Sequence, residues 1–240
     1  QLTLDSVAPE RRNKLGVGFI TWKLDEDASA LDWALNLPAE HRPHAVMLSF
    51  GDPRPYALRI AQSGAKLLCQ IQQLSQLDWA LEAGANVIIA QGAEAGGHGA
   101  NSLEGRATFT LVPEIADYLA QQSPQTQLLA AGGVADGRGL AAALSLGADG
   151  VLIGSRLWAS SESLAAPGAV ATALAASGDD TARSAIFDIL RRKNWPAPYD
   201  FRALRNTLHR RWECRIDDLR SYPQDARADY DAGVAAGDFS

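Results

Sequence analysis

Six short apolar runs alternate with helix-length connectors, and glycine clusters follow the fourth, fifth and sixth runs instead of the first. Together these observations predict an α/β fold with a parallel sheet, of the TIM (β/α)8 barrel type. An open dinucleotide-binding sheet would carry Gly-x-Gly-x-x-Gly behind its first strand, but here the first run ends in Phe19-Ile-Thr-Trp22. At 240 residues, 47% of them hydrophobic, the chain can bury one sizeable core, which favours a single α/β domain with an appendage.

Taken in order, Leu2 to Lys14 is polar and mixed, and Leu15 to Ile20 reads as the first strand. Asp25 to Leu37 carries apolar residues at helical spacing, and Ala45 to Phe50 is the second strand, closed by Gly51-Asp-Pro53. A short helix over Tyr56 to Ser63 precedes a third strand, Lys66 to Ile71; the helix Asp78 to Ala83 is stopped by Gly84. Val87 to Ala90 is the fourth strand, and it breaks into Gln91-Gly-Ala-Glu-Ala-Gly-Gly-His-Gly99. After a polar loop over Asn101 to Thr110 come a helix, Val112 to Gln121, and a fifth strand, Gln127 to Ala131, running into Gly132-Gly133. An alanine-rich helix, Gly139 to Leu146, leads to the sixth strand, Gly150 to Ile153, which ends in Gly154-Ser155.

The strand ends hold the candidate site. The loop after the fourth strand sets His98, a side chain able to titrate near neutral pH, among glycines that let a ligand approach the backbone. Paired amides at Gly132-Gly133 and Gly154-Ser155 read as the two-loop phosphate cradle that follows strands seven and eight of many barrels. On that alignment the first visible strand is strand three, and the first two βα units, about 50–70 residues, are missing upstream. Glu94 is expected to cap a helix or pair with an arginine. Ser49, Gln70 and Lys23 are candidates for lining the pocket or anchoring loops.

A net charge of −6 and a pI near 5.2 argue against nucleic acid or an anionic membrane as partner. The arginines between Leu190 and Arg215, mixed with prolines and acids, read as a solvated face. Two cysteines, Cys69 and Cys214, make a disulfide framework improbable and suggest a reducing, cytoplasmic setting; no metal-ligand cluster is evident. No apolar stretch reaches the roughly 18–20 residues of a membrane span.

Ala90 to Gly99, Ala130-Ala-Gly-Gly-Val-Ala-Asp-Gly-Arg138 and Leu146-Gly-Ala-Asp-Gly-Val-Leu-Ile-Gly-Ser-Arg156 resemble the motifs of the nitronate monooxygenases, once called 2-nitropropane dioxygenases. Phe109 to Glu114 and Asn194-Trp-Pro196 extend the likeness. The resemblance implies an FMN-binding barrel over residues 1–156 and a smaller, mostly helical substrate-roof domain over 157–240. By the same resemblance FMN phosphate sits on Gly133, Gly154 and Ser155, with Gly132 and the backbone of Leu152 and Ile153 close by. Gln91 and Gly96 approach the flavin, and His98 is the catalytic residue on the substrate side. The implied reaction is oxidation of alkyl nitronates, and of nitroalkanes if accepted, by O2 to a carbonyl compound and nitrite. An NAD(P)H-dependent enoyl-thioester reductase of the same superfamily and a non-catalytic flavin- or phosphate-binding barrel stay open as alternatives. Oligomeric state is open, with a homodimer as one option.

Overall fold

The computed structural model describes residue 11 and residues 15–238, so the opening polar stretch lies, apart from residue 11, outside the described residues. Strand β1 (Gly16–Ile20) is followed by helices α1 (Thr21–Leu24) and α2 (Ser29–Leu35), β2 (Ala45–Ser49), α3 (Arg54–Ser63), β3 (Lys66–Ile71), α4 (Leu77–Glu82) and β4 (Val87–Gln91). Next come β5 (Gly97–Ala100), α5 (Thr108–Gln122), β6 (Gln127–Ala131), α6 (Gly137–Ser145), β7 (Gly150–Leu152) and α7 (Ser155–Trp158). The chain ends in α8 (Pro167–Ala175), β8 (Thr181–Ser184), α9 (Ile186–Leu190), β9 (Tyr199–Leu204), α10 (Thr207–Trp212), α11 (Ile216–Ser221) and α12 (Gln224–Ala236).

Each of the six expected strands forms, and they pair in parallel in the order β1-β2-β3-β4-β6-β7. Central β4 buries Ile88, Ile89 and Ala90 completely, as a strand covered on both faces should. On β2 and β3 the alternate residues Val46, Leu48, Leu67, Cys69 and Ile71 pack on the helices, against Tyr56, Ile60, Leu77, Leu111 and Ile115. Each such buried aliphatic side chain contributes about 1.5–3 kcal/mol by leaving water. Register sets Ser49 beside Gln70 and Gln91 beside Ala131, so polar residues gather at one end of the sheet.

Two helices differ from expectation for identifiable reasons. The helix expected over Asp25 to Leu37 begins only at Ser29, whose N–H is accepted by the Asp27 carboxylate at 2.8 Å. Helix α5 begins a turn earlier than Val112 because Glu94, from the loop after β4, accepts the Thr108 N–H at 3.0 Å. Glu94 is therefore a cap, one of its expected roles. Glu94→Ala is expected to cost about 0.5–2 kcal/mol of stability, read as a lower urea midpoint at unchanged m-value.

A larger correction concerns the second half. Residues 157–240 are not helical throughout: β8 and β9 pair antiparallel, and β9 pairs with β5, giving a three-stranded sheet in the order β5-β9-β8. The glycine loop after β4 thus contains an edge strand of this second sheet. Ile186, Phe187, Leu190, Trp212, Leu219 and Ala226 form a separate small core behind it. Of the basic residues, Arg192, Arg211, Arg215 and Arg220 pair with Asp231, Asp229, Asp218 and Asp217 on exposed surface, the solvated face expected; Arg202 instead turns inward.

Both cysteines are free. Burial in the apolar core pushes the Cys69 thiol up to about 12, whereas Cys214 is exposed. Because the thiolate is the reactive form, iodoacetamide at pH 8 is expected to label Cys214 alone, with Cys69 reacting only when the protein unfolds. The sign of the linkage is fixed: the folded state keeps the Cys69 proton that the unfolded state gives up, so this contribution to stability declines as pH rises from the ordinary thiol range toward about 12.

Candidate active site at the strand ends

Polar side chains converge where β3 and β4 end. Gln91, buried, accepts hydrogen bonds on Oε1 from Gln70 Nε2 at 3.0 Å and Gln72 Nε2 at 2.8 Å. Its own Nε2 donates to the backbone carbonyl of His98 at 2.9 Å. Three glutamines thereby fix the distance between the parallel sheet and β5, and with it the position of the histidine.

Loop 92–97 is held from the other side by arginines. Arg183 on β8 donates to the Ala95 carbonyl at 2.8 Å and pairs with Asp200 at 3.1 Å, while Arg202 on β9 donates to the Ala93 carbonyl at 3.1 Å. Burial outweighs pairing in this couple: it pulls the Arg183 guanidinium below its ordinary value and pushes the Asp200 carboxyl above its own. The close approach of Arg183 also explains Gly99, where an added Cβ would lie 3.1 Å from Nη1.

His98 is nearly enclosed, with a side-chain exposure of 12%. Its Nε2 lies 3.0 Å from both carboxylate oxygens of Asp188, on α9. Its ring stacks on Trp195 with centroids 3.5 Å apart and planes 14° from parallel, and Phe201 tilts against it at 4.8 Å. Trp195 meets Trp22 and Phe50 edge-on, and Tyr199 packs on Phe50. Phe50 holds a positive φ of 66°, a costly backbone state for an aromatic residue, at the turn that delivers its ring to this cluster.

The two glycine pairs lie on the same end of the sheet. Gly132 has φ +102°, and a Cβ there would come within 3.0 Å of the Ala95 amide, so only glycine lets the turn after β6 pack under the glycine loop. Gly96 abuts Ser155, whose Oγ would be 2.5 Å from an added Cβ. Gly133, Gly154 and Ser155 are exposed, Leu152 and Ile153 half-buried. The structure thus gathers Gln91, Gly96, Gly132, Gly133, Gly154 and Ser155 around one loop, with His98 at its far end.

Other candidates separate. Gln70 belongs to the glutamine cluster, Ser49 is buried with an unpartnered hydroxyl, and Lys23 lies on the surface, paired with Glu26 at 2.7 Å. Among the tryptophans, Trp195 lies in the site, Trp212 in the small core and Trp158 at the surface. Sequence reasoning missed Asp188, Trp22 and Phe50. A carboxylate inside the apolar run Ile186-Phe-Asp-Ile-Leu190 was the signal for the first, since a buried acid needs a partner.

The carboxyl ends of parallel strands are where α/β enzymes carry their chemistry, and fold and site together put this chain in that class. The nitronate monooxygenase family model matches residues 23–222. Among curated proteins, the nitronate monooxygenase npaC of Metarhizium robertsii is 36% identical over 237 residues, covering 91% of this chain and 63% of that protein. A nitronate monooxygenase of Neurospora crassa is 37% identical over 158 residues, 59% of this chain and 41% of that one. The chain belongs to the nitronate monooxygenase family, and it spans less than two thirds of the length of these relatives.

Solved structures agree on the fold. FabK from Thermotoga maritima matches with a TM-score of 0.69 and 26% identity, over 93% of this chain and 67% of that one. Nitroalkane oxidase from Streptomyces ansochromogenes matches at 0.68 and 22% identity, over 93% and 71%. The enoyl reductase domain of MlnA from Bacillus amyloliquefaciens matches at 0.61 and 14% identity, over 88% and 54%. Among the described residues no helix is long and apolar enough to cross a membrane, and no cluster of His, Cys, Asp and Glu is suited to a metal ion.

Proposed function

We propose that this chain carries the site for FMN-dependent oxidation of alkyl nitronates by O2, giving a carbonyl compound and nitrite. The observation that carries the reading is the placement of His98, locked between Asp188 and Trp195 at the end of the loop that packs against both glycine pairs. In this reading the six parallel strands are strands three to eight of a (β/α)8 barrel, residues 1–156 hold the cofactor and 157–240 roof the substrate.

The residues fit FMN. Gly133, Gly154 and Ser155 offer exposed backbone amides and a hydroxyl to a phosphate, and no atom lies within 4 Å of where a Gly154 Cβ would stand. Gly132, Leu152 and Ile153 would support that end, and Gln91 and Gly96 would adjoin the ring and ribityl chain. Unpartnered polar atoms at the strand ends, Ser49 Oγ and Gln72 Oε1, together with Trp22 Nε1, are groups that a polar ligand would satisfy. When bound, FMN supplies the one-electron chemistry that joins nitronate oxidation to O2.

The protein's own part is positioning. Protonated His98 attracts the nitronate oxygens; neutral His98 can accept the α-proton of a nitroalkane. Trp22, Phe50, Trp195 and Tyr199 exclude water and give the substrate's alkyl portion an apolar surface. The test is nitrite release from propionate 3-nitronate in aerated buffer by flavin-loaded protein. Absence of nitrite, with rapid anaerobic bleaching of the flavin by NADH or NADPH, would move the assignment to an enoyl-thioester reductase, a reading that rests on shared fold; retained FMN with neither reaction would leave a binding protein.

A further inference from the structure

We propose that Asp188 is the positioning residue for His98: by accepting the Nε2 proton it makes Nδ1 the atom that exchanges a proton with substrate. The proposal rests on the functional reading above.

A carboxylate can only accept, so the 3.0 Å contacts from Nε2 to both Asp188 oxygens require that Nε2 carry a hydrogen. A neutral imidazole has one N–H, and the lone pair therefore falls to Nδ1. Nδ1 makes no hydrogen bond among the described residues. The stack on Trp195 fixes the ring plane, and the Gln91 bond to the His98 carbonyl fixes the backbone, so the ring cannot turn to exchange its two nitrogens without breaking packing. Asp188 in turn is immobile: its side chain is 4% exposed on a helix whose neighbours Ile186, Phe187 and Leu190 are buried in the small core.

Asp188 is also the charged group in contact with the ring. On the β8 and β9 side, Arg183 and Asp200 are engaged with each other, Arg202 lies on the Ala93 carbonyl, and Arg191 lies over Phe201 at 5.0 Å. From the parallel sheet the approach is by the neutral Gln70, Gln72 and Gln91, and from the turns after β1 and β2 by Trp22 and Phe50.

For a neutral nitroalkane the step balances as a proton transfer. The Cα–H bond breaks, its electron pair moves into the nitro group to give the nitronate, and the proton bonds to Nδ1. The imidazolium so formed keeps its Nε2–H on Asp188, whose negative charge offsets the new positive one, and Nδ1 later releases the proton to solvent. No electrons change owner in this step, so it is separable from the oxidation. A substrate supplied as nitronate skips it and uses the histidine only for attraction.

The experiment has two arms. In histidine-15N-labelled wild-type protein at pH 8.5, two-bond proton–nitrogen correlation is expected to show His98 protonated at Nε2 and bare at Nδ1; protonation at Nδ1 would overturn the proposal without any variant. Asp188→Leu removes the acceptor, on a helix whose Ile186, Phe187 and Leu190 already pack in the small core. In that variant the Nε2–H preference should be lost, and kcat/KM for a neutral nitroalkane should fall about tenfold or more beyond any fall for the matching nitronate. Asp188→Glu, which retains an acceptor-only carboxylate, should restore part of both, whereas Asp188→Asn, whose amide can donate to Nε2 and favour the other tautomer, should not. A nitroalkane-to-nitronate ratio unmoved in Asp188→Leu would overturn the proposal. Wild-type protein that makes no nitrite would refute the functional reading while leaving the spectroscopic arm to decide the role of Asp188.

Discussion

His98→Asn is expected to keep the fold and bound FMN but to lose turnover by about 10²–10⁴-fold, the range in which positioned acid–base groups contribute. The separation of the two effects follows from which atoms hold what. The Gln91 contact is to the His98 backbone carbonyl, and β5 is paired with β9 through its main chain, so neither depends on the imidazole. Asparagine can still donate an amide hydrogen toward Asp188, so the buried carboxylate is not left bare. What the variant lacks is a group that can be either charged or an acceptor near neutral pH. Nitrite release per bound flavin, with flavin content read from absorbance, measures the two separately. Turnover equal to wild type in the flavin-loaded variant would remove His98 from the chemistry.

The loop that bears His98 was the most legible part of the chain, and the sheet that holds that loop in place was the least. Parallel strands buried on both faces must be continuous apolar runs, and Val87 to Ala90 or Gln127 to Ala131 can hardly be read otherwise. Gly97-His-Gly-Ala100 has no β-branched residue, and it becomes a strand only because β9, about a hundred residues later, supplies the partner. Its local sequence therefore could not announce it. Tyr199-Asp-Phe-Arg-Ala-Leu204 does alternate with period two through Tyr199, Phe201 and Ala203, but its arginine-rich neighbourhood reads as a solvated face and masks the pattern.

The candidate site divides in the same way. Its glycines and histidine are legible because local backbone demands select them. Asp188 is half-legible, an acid with no reason to lie in an apolar pentapeptide unless something buried pairs with it. Trp22 and Phe50 carry no local signal. They reach Trp195 only through the parallel register of β1 and β2, which places the turns after both strands at the same end of the sheet.

Gly154→Asp is expected to weaken FMN binding by about a hundredfold or more, since like charges brought together at a binding site cost several kcal/mol and each 1.4 kcal/mol is tenfold. Gly154 is the right glycine to change because its role is separable from folding. Its φ of −109° is open to side-chain-bearing residues, and an added Cβ meets no atom within 4 Å. The same substitution at Gly132, with φ +102° and the Ala95 amide 3.0 Å from the new Cβ, would strain the turn and confuse lost binding with lost structure. Helix α7 has four residues, too few for a helix dipole of consequence, so the affinity at this end comes from the local amides and the Ser155 hydroxyl. A carboxylate placed beside them repels the phosphate and competes for the same donors. Gly154→Ala, neutral and small, should bind within about tenfold of wild type, and all three proteins should share one urea midpoint. Titration of the flavin-free proteins with FMN, followed by quenching of flavin fluorescence, measures the difference. Equal affinity in Gly154→Asp would mean that the phosphate is not held at the end of β7, and Gly132-Gly133 would then have to carry it alone.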